Sequence, residues 1–254
     1  MKILASVVAG AVLLFLVIDL FGRIRPFSDF ACHVWPADSA RLSVSRNSNL
    51  MKLTFGLPRS AIKRVAKSRM EVQMQHAFTW LPSTYRWVLL AVLLAGTVVF
   101  AFKLQVQGEP LVITPAVPQG ILSYEFAWSR GRAQQILDSW VSLKDTARRQ
   151  LLLDFGFLVV YPLLLSLACA MLAGPPHNLM AAVGVFISWA VLAAGPLDAV
   201  ENFALLRMLD EGASGGLARL AGWCAGIKFL LVFSSLGYLV LQGVGVLVGK
   251  IRDG

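Results

Sequence analysis

The sequence predicts an all-α, polytopic membrane helix bundle of about five transmembrane helices: an N-terminal anchor, a four-helix core, and an amphipathic surface helix between the second and third spans. Three observations carry that expectation. The 254 residues are 57% hydrophobic and 15% charged, whereas an ordinary soluble domain is about 25% charged. Mean hydropathy is +0.69. Several apolar runs approach the ~20 residues that a helix needs to cross hydrocarbon.

The net charge of +9 would suggest nucleic acid in a soluble protein. No recognition motif or basic-aromatic module accompanies it, so nucleic acid is not an expected partner. In a membrane chain, Lys and Arg collect in cytoplasmic loops and face anionic lipid, which makes membrane lipids the expected partners.

Ile3 to Phe21 is the first apolar run. No small-residue cleavage site follows it and it is long for a signal core, so residues 1–21 read as an uncleaved anchor. Residues 22–86 change character. Arg23, Arg25, Arg41, Arg46, Lys63, Arg64 and Lys67 face few acids, among them Asp29, Asp38 and Glu71. From Pro58 to Phe78, Ile62, Val65, Ala66 and Met70 share one helical face and the basic residues lie around the other. Two positions for this helix stand open, along an anionic membrane surface or solvated in the cytoplasm.

The core is expected over residues 87–254. Trp87 to Phe102 forms the second span, with Trp80, Tyr85 and Trp87 grouped at its start as interfacial aromatics are. Pro110, Pro115 and Pro118 predict an extended Gln107–Gly120. Ser129 to Arg149 predicts a surface helix, capped by Ser129 and striped by Ala133, Ile136, Leu137, Trp140 and Val141. Trp128 and Trp140 are expected as membrane-surface anchors. Leu151 to Ala173 is the third span, and Gly174-Pro175-Pro176-His177 forces a turn. Asn178 to Leu209 carries the fourth span. It would be about 48 Å long as one helix, more than a ~30 Å hydrocarbon core, so either Pro196 kinks it or its last turns emerge. A glycine-rich loop follows from Asp210, and Leu217 to Val248 holds the fifth span.

The basic segment and the Lys250/Arg252 tail predict a cytoplasmic loop and C-terminus, hence an N-terminus outside. Arg148 and Arg149 beside the third span pull against that orientation. Cys32, Cys169 and Cys224, and His33, His76 and His177, form no disulfide framework and no metal-ligand spacing. No catalytic or nucleotide-binding motif is present, and no metal or cofactor is expected.

The polar residues within the spans stand out. Asp198, Glu201 and Asn202 share one face at three- and four-residue spacing. Helix alternation puts them at the same end of the bundle as Asp154 in the third span and Lys228 in the fifth. Lys228, Ser235 and Gln242 recur every seven residues, as do Asp154 and Tyr161. A buried lysine needs a carboxylate, with Glu201 or Asp198 as first partners and Asp154 as the alternative. The excess carboxylates are expected to be protonated, to face water, or to meet Arg132, Arg148 or Arg149. The group Asp154, Tyr161, Asp198, Glu201, Asn202 and Lys228 is therefore either a structural ion-pair network or a binding or chemical site. Arg132 and Trp140 of the surface helix are candidate contacts above it.

The islands Arg132-Ala133-Gln134-Gln135-Ile136-Leu137-Asp138-Ser139-Trp140, Leu153-Asp154-Phe155-Gly156-Phe157, Leu197-Asp198-Ala199-Val200-Glu201-Asn202 and Cys224 to Phe229 resemble those of a family of small bacterial integral membrane proteins. The resemblance runs from about Ser83 to Tyr238. It implies four spans, a bacterial inner-membrane location and one assembly containing Arg132, Trp140, Asp154, Asp198, Glu201, Asn202 and Lys228. It implies no activity. The first reading of function is a non-enzymatic lipid-binding, ligand-binding or accessory bundle, with a protein partner or a second copy left open. The alternatives are a membrane-embedded enzyme acting on a lipid or isoprenoid, and a proton- or ion-coupled transporter.

Overall fold

A computed structural model describes residues 77–113, 115–173 and 179–252, with the backbone alone for 246–252. The expected anchor at 1–21, the basic segment up to residue 76 and the 174–177 turn lie outside the described residues. Within them the chain is helical, with no strand beyond a single bridge between Ile113 and Val117.

The first helix, α1 (Ser83–Gly108), starts directly after Pro82, whose fixed φ suits a helix entrance. It runs one and a half turns past the expected end at Phe102, because no helix breaker intervenes before Pro110. Pro110 falls within the first turn of a 3₁₀ segment, Glu109–Leu111, where a missing N–H is harmless. The expected extended stretch is therefore confined to the tip, where Ile113 and Val117 exchange hydrogen bonds of 3.0 and 2.6 Å.

Two short helices follow, α2 (Ile121–Glu125) and α3 (Arg130–Ser139). Ser129 caps α3, its hydroxyl accepting from the Arg132 N–H at 3.2 Å. The expected continuous helix from Ser129 to Arg149 is not formed. The chain leaves the helix at Trp140 (φ −104, ψ 18) and turns through Leu143. It restarts as α4 (Lys144–Ala173), which contains Arg148, Arg149 and the third span. The turn lets the apolar residues of α3 and those at the start of α4, Ala147 and Leu151, pack into one core.

Next come α5 (Leu179–Ala190), a 3₁₀ turn at Val191–Ala193, and α6 (Ala194–Glu211). At Pro196 the helix is locally distorted, as the 3₁₀ turn Val191–Ala193. Proline offers no N–H to the Leu192 carbonyl, and the chain tightens in the turn before it. Gly212 ends α6 with φ +97, where a side chain would be strained. The last helix, α7 (Gly215–Arg252), has 38 residues. At ~1.5 Å per residue it is longer than the hydrocarbon core.

Four of these stretches are long and apolar enough to cross a membrane: Ser83–Leu111, Lys144–Ala173, Leu179–Glu211 and Gly215–Gly245. The central one is α4, against which α1, α5, α6 and α7 all pack. Glycines set the closest approaches. A Cβ on Gly156 would overlap the Phe100 ring, and one on Gly195 would sit 2.9 Å from the Leu158 carbonyl oxygen. That carbonyl is the acceptor Pro162 cannot serve within the continuous helix α4, so Pro162 lies against Gly195, the residue before Pro196. The outward faces carry Val88, Val92, Phe102, Phe186, Phe203 and Leu230 exposed. So much apolar surface on four spanning helices makes this a multi-pass membrane protein.

At one end of the bundle, α2, α3 and their loops form a cap. Its core contains Leu111, Tyr124, Ile136 and Trp140, packed on Leu151 of α4, Leu205 and Met208 of α6, and Ala218 and Ala221 of α7. Trp140 is fully buried and donates its indole N–H to the Leu111 carbonyl at 3.0 Å. It is a core residue of the cap and not a membrane-surface anchor. Tyr124 meets its ring edge-on at 5.5 Å and donates to the Leu205 carbonyl at 3.2 Å, tying cap to span.

Candidate functional site

The polar residues of the spans converge directly beneath the cap. Asp198 and Glu201 project from α6 toward α7, and Lys228 answers from α7. Its ammonium lies 2.6 Å from Asp198 Oδ1 and 2.9 Å from Glu201 Oε2. Tyr161 of α4 donates its hydroxyl to the other Asp198 oxygen at 3.0 Å, so both oxygens of that carboxylate are satisfied. Asn202, one turn beyond Asp198, donates its amide to Asp154 Oδ2 at 2.6 Å. The network links α4, α6 and α7 through these contacts.

The structure thus brings together Asp154, Tyr161, Asp198, Glu201, Asn202 and Lys228. Both first-choice partners of Lys228 are used, and Asp154 bonds to Asn202 instead of the lysine. Arg132 and Trp140 are not part of the network. Arg132 bonds to the Ala116 carbonyl at 2.7 Å and to Gln135 at 2.8 Å, bracing the cap loop. Nor do the other basic residues reach the carboxylates. Arg148 pairs with Asp210 at the surface, and Arg149 bonds to the Asp145 carbonyl of its own helix. Of the three fates expected for the excess acid, contact with Arg132, Arg148 or Arg149 is not realised, because each arginine is engaged elsewhere.

The residue that sequence reasoning missed is Glu125. It is the last residue of α2, and its Oε2 lies 3.5 Å from Lys228 Nζ. Its residue is 9% exposed, comparable with Lys228 at 7% and Asp198 at 2%, while Glu201 is fully buried. A signal was available: Glu125 is the lone charge in the apolar stretch Tyr124–Trp128. No helical spacing could tie it to residues over seventy positions away. Burial pushes the Glu125 carboxyl above the usual carboxylate range, with Lys228 pulling it back and Asp198 pushing it further up. Burial also raises the Tyr124 phenol.

The junction is sealed by aromatics. Phe126 stacks on Phe229 at 5.8 Å, and Phe229 on Phe233 at 5.8 Å. Lys228 Nζ lies 5.4 Å from the centre of the Phe229 ring. Trp128 holds a positive φ of 55°, an unfavourable conformation for a bulky residue. Its indole lies flat on Gly222, where a Cβ would come within 2.9 Å, and meets Trp223 edge-on. That packing offsets the strain and leaves the cluster enclosed.

A shallow groove of about 330 Å³ opens beside Pro162 and Pro196, lined by Leu158, Leu163, Leu192 and Ala199 among others. Its lining is apolar and includes none of the charged residues of the cluster. Among the described residues no group of three or more His, Cys, Asp or Glu is arranged to hold a metal ion. Comparison of the chain with protein families, with curated proteins and with solved structures finds no match.

Proposed function

We propose that this chain is a non-enzymatic integral membrane protein, a lipid-binding or accessory bundle, in which the polar cluster is a lock that holds the cap on three spans. The observation that carries this reading is the enclosure of Lys228 by Asp198, Glu201 and Glu125, each no more than 9% exposed. A catalytic or transport site needs a path for substrate. Here aromatic side chains pack over the approach from the cap, and the neighbouring groove is lined almost entirely by apolar atoms. That groove suits an acyl chain, which favours membrane lipid as the ligand.

The resemblance to a bacterial inner-membrane family fits the same reading. Its Asp154, Asp198–Asn202 and Lys228 islands meet in the lock, and its Arg132–Trp140 island builds the cap. In the orientation favoured by the basic segment and the Lys250/Arg252 tail, the cap lies on the outer side and the C-terminus in the cytoplasm.

The test is a stability cycle in detergent or nanodiscs. Lys228→Met leaves buried carboxylates without a counter-charge and is expected to cost about 3–5 kcal/mol. Adding Asp198→Asn, which can still accept from Tyr161, is expected to restore most of the loss. A harmless Lys228→Met, or a double variant no more stable than the single, would overturn the lock.

A further inference from the structure

We propose that Glu125 of the cap and Glu201 of α6 share one bound proton, and that this proton holds the cap on the spans. The geometry of the orphaned oxygens carries the inference. Asp198 has a donor on each oxygen. Glu201 is fully buried, yet neither of its oxygens accepts a hydrogen bond, and Glu125 Oε2 is likewise buried and unserved. Lys228 is near both, at 2.9 and 3.5 Å, but its shortest contact goes to Asp198 at 2.6 Å. Both carboxyls lie against that one ammonium, which brings them to the same point of the junction. As carboxylates, both can only accept, so each leaves the other unsatisfied. A single proton between them supplies a donor to one and an acceptor to the other.

The excess of carboxyls over cations likewise calls for bound protons in the cluster. The charged groups acting on Glu125 are Lys228 from α7, Asp198 and Glu201 from α6 and Asp154 from α4, while Tyr161 and Cys224 act on Asp198 and Lys228. Four of these side chains, counting Glu125 itself, are carboxyls, and Lys228 is the one cation of the cluster. Asp198 takes the lysine's charge at 2.6 Å. Two further carboxylates held against the same ammonium cannot both ionise in a dry site, just as paired acids sharing a site cannot.

The proton lies across a junction. Glu125 belongs to the cap and Glu201 to a span, so its loss sets two like charges against each other at the surface where the two pack. A lifted cap returns Glu125 to water and to an ordinary carboxyl near ~4.3. The docked cap binds more protons than the lifted one from that pH up to the raised docked value. Docking therefore weakens as pH rises through this window and is strongest below it.

The proposal deepens the lock reading, and the two fail separately: a harmless Lys228→Met removes the lock, while the proton is read directly. In the full chain in nanodiscs, infrared spectra at neutral pH are expected to contain a protonated-carboxyl C=O band. Glu125→Gln or Glu201→Gln should lose it, and Asp154→Asn should keep it. No such band in the wild-type chain, or one removed by Asp154→Asn alone, overturns the proposal. Hydrogen exchange of residues 121–139, corrected for its intrinsic pH dependence, gives a second readout that needs no variant to fold. Protection of the wild type is expected to fall toward tenfold per pH unit, the slope of one linked proton. Flat protection, or protection that follows sodium at fixed pH, overturns it.

Discussion

Replacing Trp140 tests whether the cap is a packed core or an interfacial decoration. The indole is fully buried among Leu111, Tyr124, Ile136 and the ends of α4, α6 and α7. Truncating a buried aromatic residue to alanine costs about 3–5 kcal/mol. Two parts of that loss can be separated. The Leu111 carbonyl, itself in a fully buried residue, loses its N–H donor at 3.0 Å, a penalty of about 1–3 kcal/mol for an orphaned buried acceptor. The edge-on contact with Tyr124 is worth about 0.5–1.5 kcal/mol beyond area. Trp140→Phe keeps most of the packing and loses the donor, so it should cost about 1–3 kcal/mol, and Trp140→Ala more. Trp80, 76% exposed, is the control, and Trp80→Ala should stay within about 0.5 kcal/mol of wild type. Thermal unfolding in a fixed detergent, followed by near-ultraviolet circular dichroism, measures all three. If Trp140→Ala behaved like Trp80→Ala, the cap would not pack as described.

Tyr161→Phe removes the second donor to Asp198 and should destabilise the bundle by about 0.6 kcal/mol, the average for polar contacts between spans, and by no more than about 1.7; thermal unfolding in the same detergent would refute this if the variant matched wild type. Gly195→Val drives a side chain into the Leu158 carbonyl and should part α4 from α6, seen as faster proteolysis; unchanged proteolysis would contradict the close approach. Arg148→Ala breaks an ion pair whose side chains are 45% and 44% exposed, so its effect should stay below about 1 kcal/mol and fade with added salt. A larger, salt-independent loss would mean that Arg148 serves the buried cluster after all.

The sequence by itself determined the solvent of this protein and, to within a turn or two, the positions of the four described spans. Long apolar runs with few charges leave one stable arrangement in lipid, because a helix satisfies its own backbone. Helix periodicity and alternation also sufficed to gather Asp154, Asp198, Glu201, Asn202 and Lys228 at one end, since both follow from spacing alone. Tertiary structure decided what spacing does not encode. It divided the expected 129–149 helix, because burying Trp140 requires the chain to turn out of the axis of α3. It turned Arg132, Arg148 and Arg149 to other partners. It brought Glu125, from a five-residue helix without periodic signal, onto Lys228 across more than a hundred positions. Local patterns record which face of a helix is apolar. The partner that meets a buried charge depends on how separate segments pack, and here that packing sets a second glutamate, Glu201, against the same ammonium as Glu125.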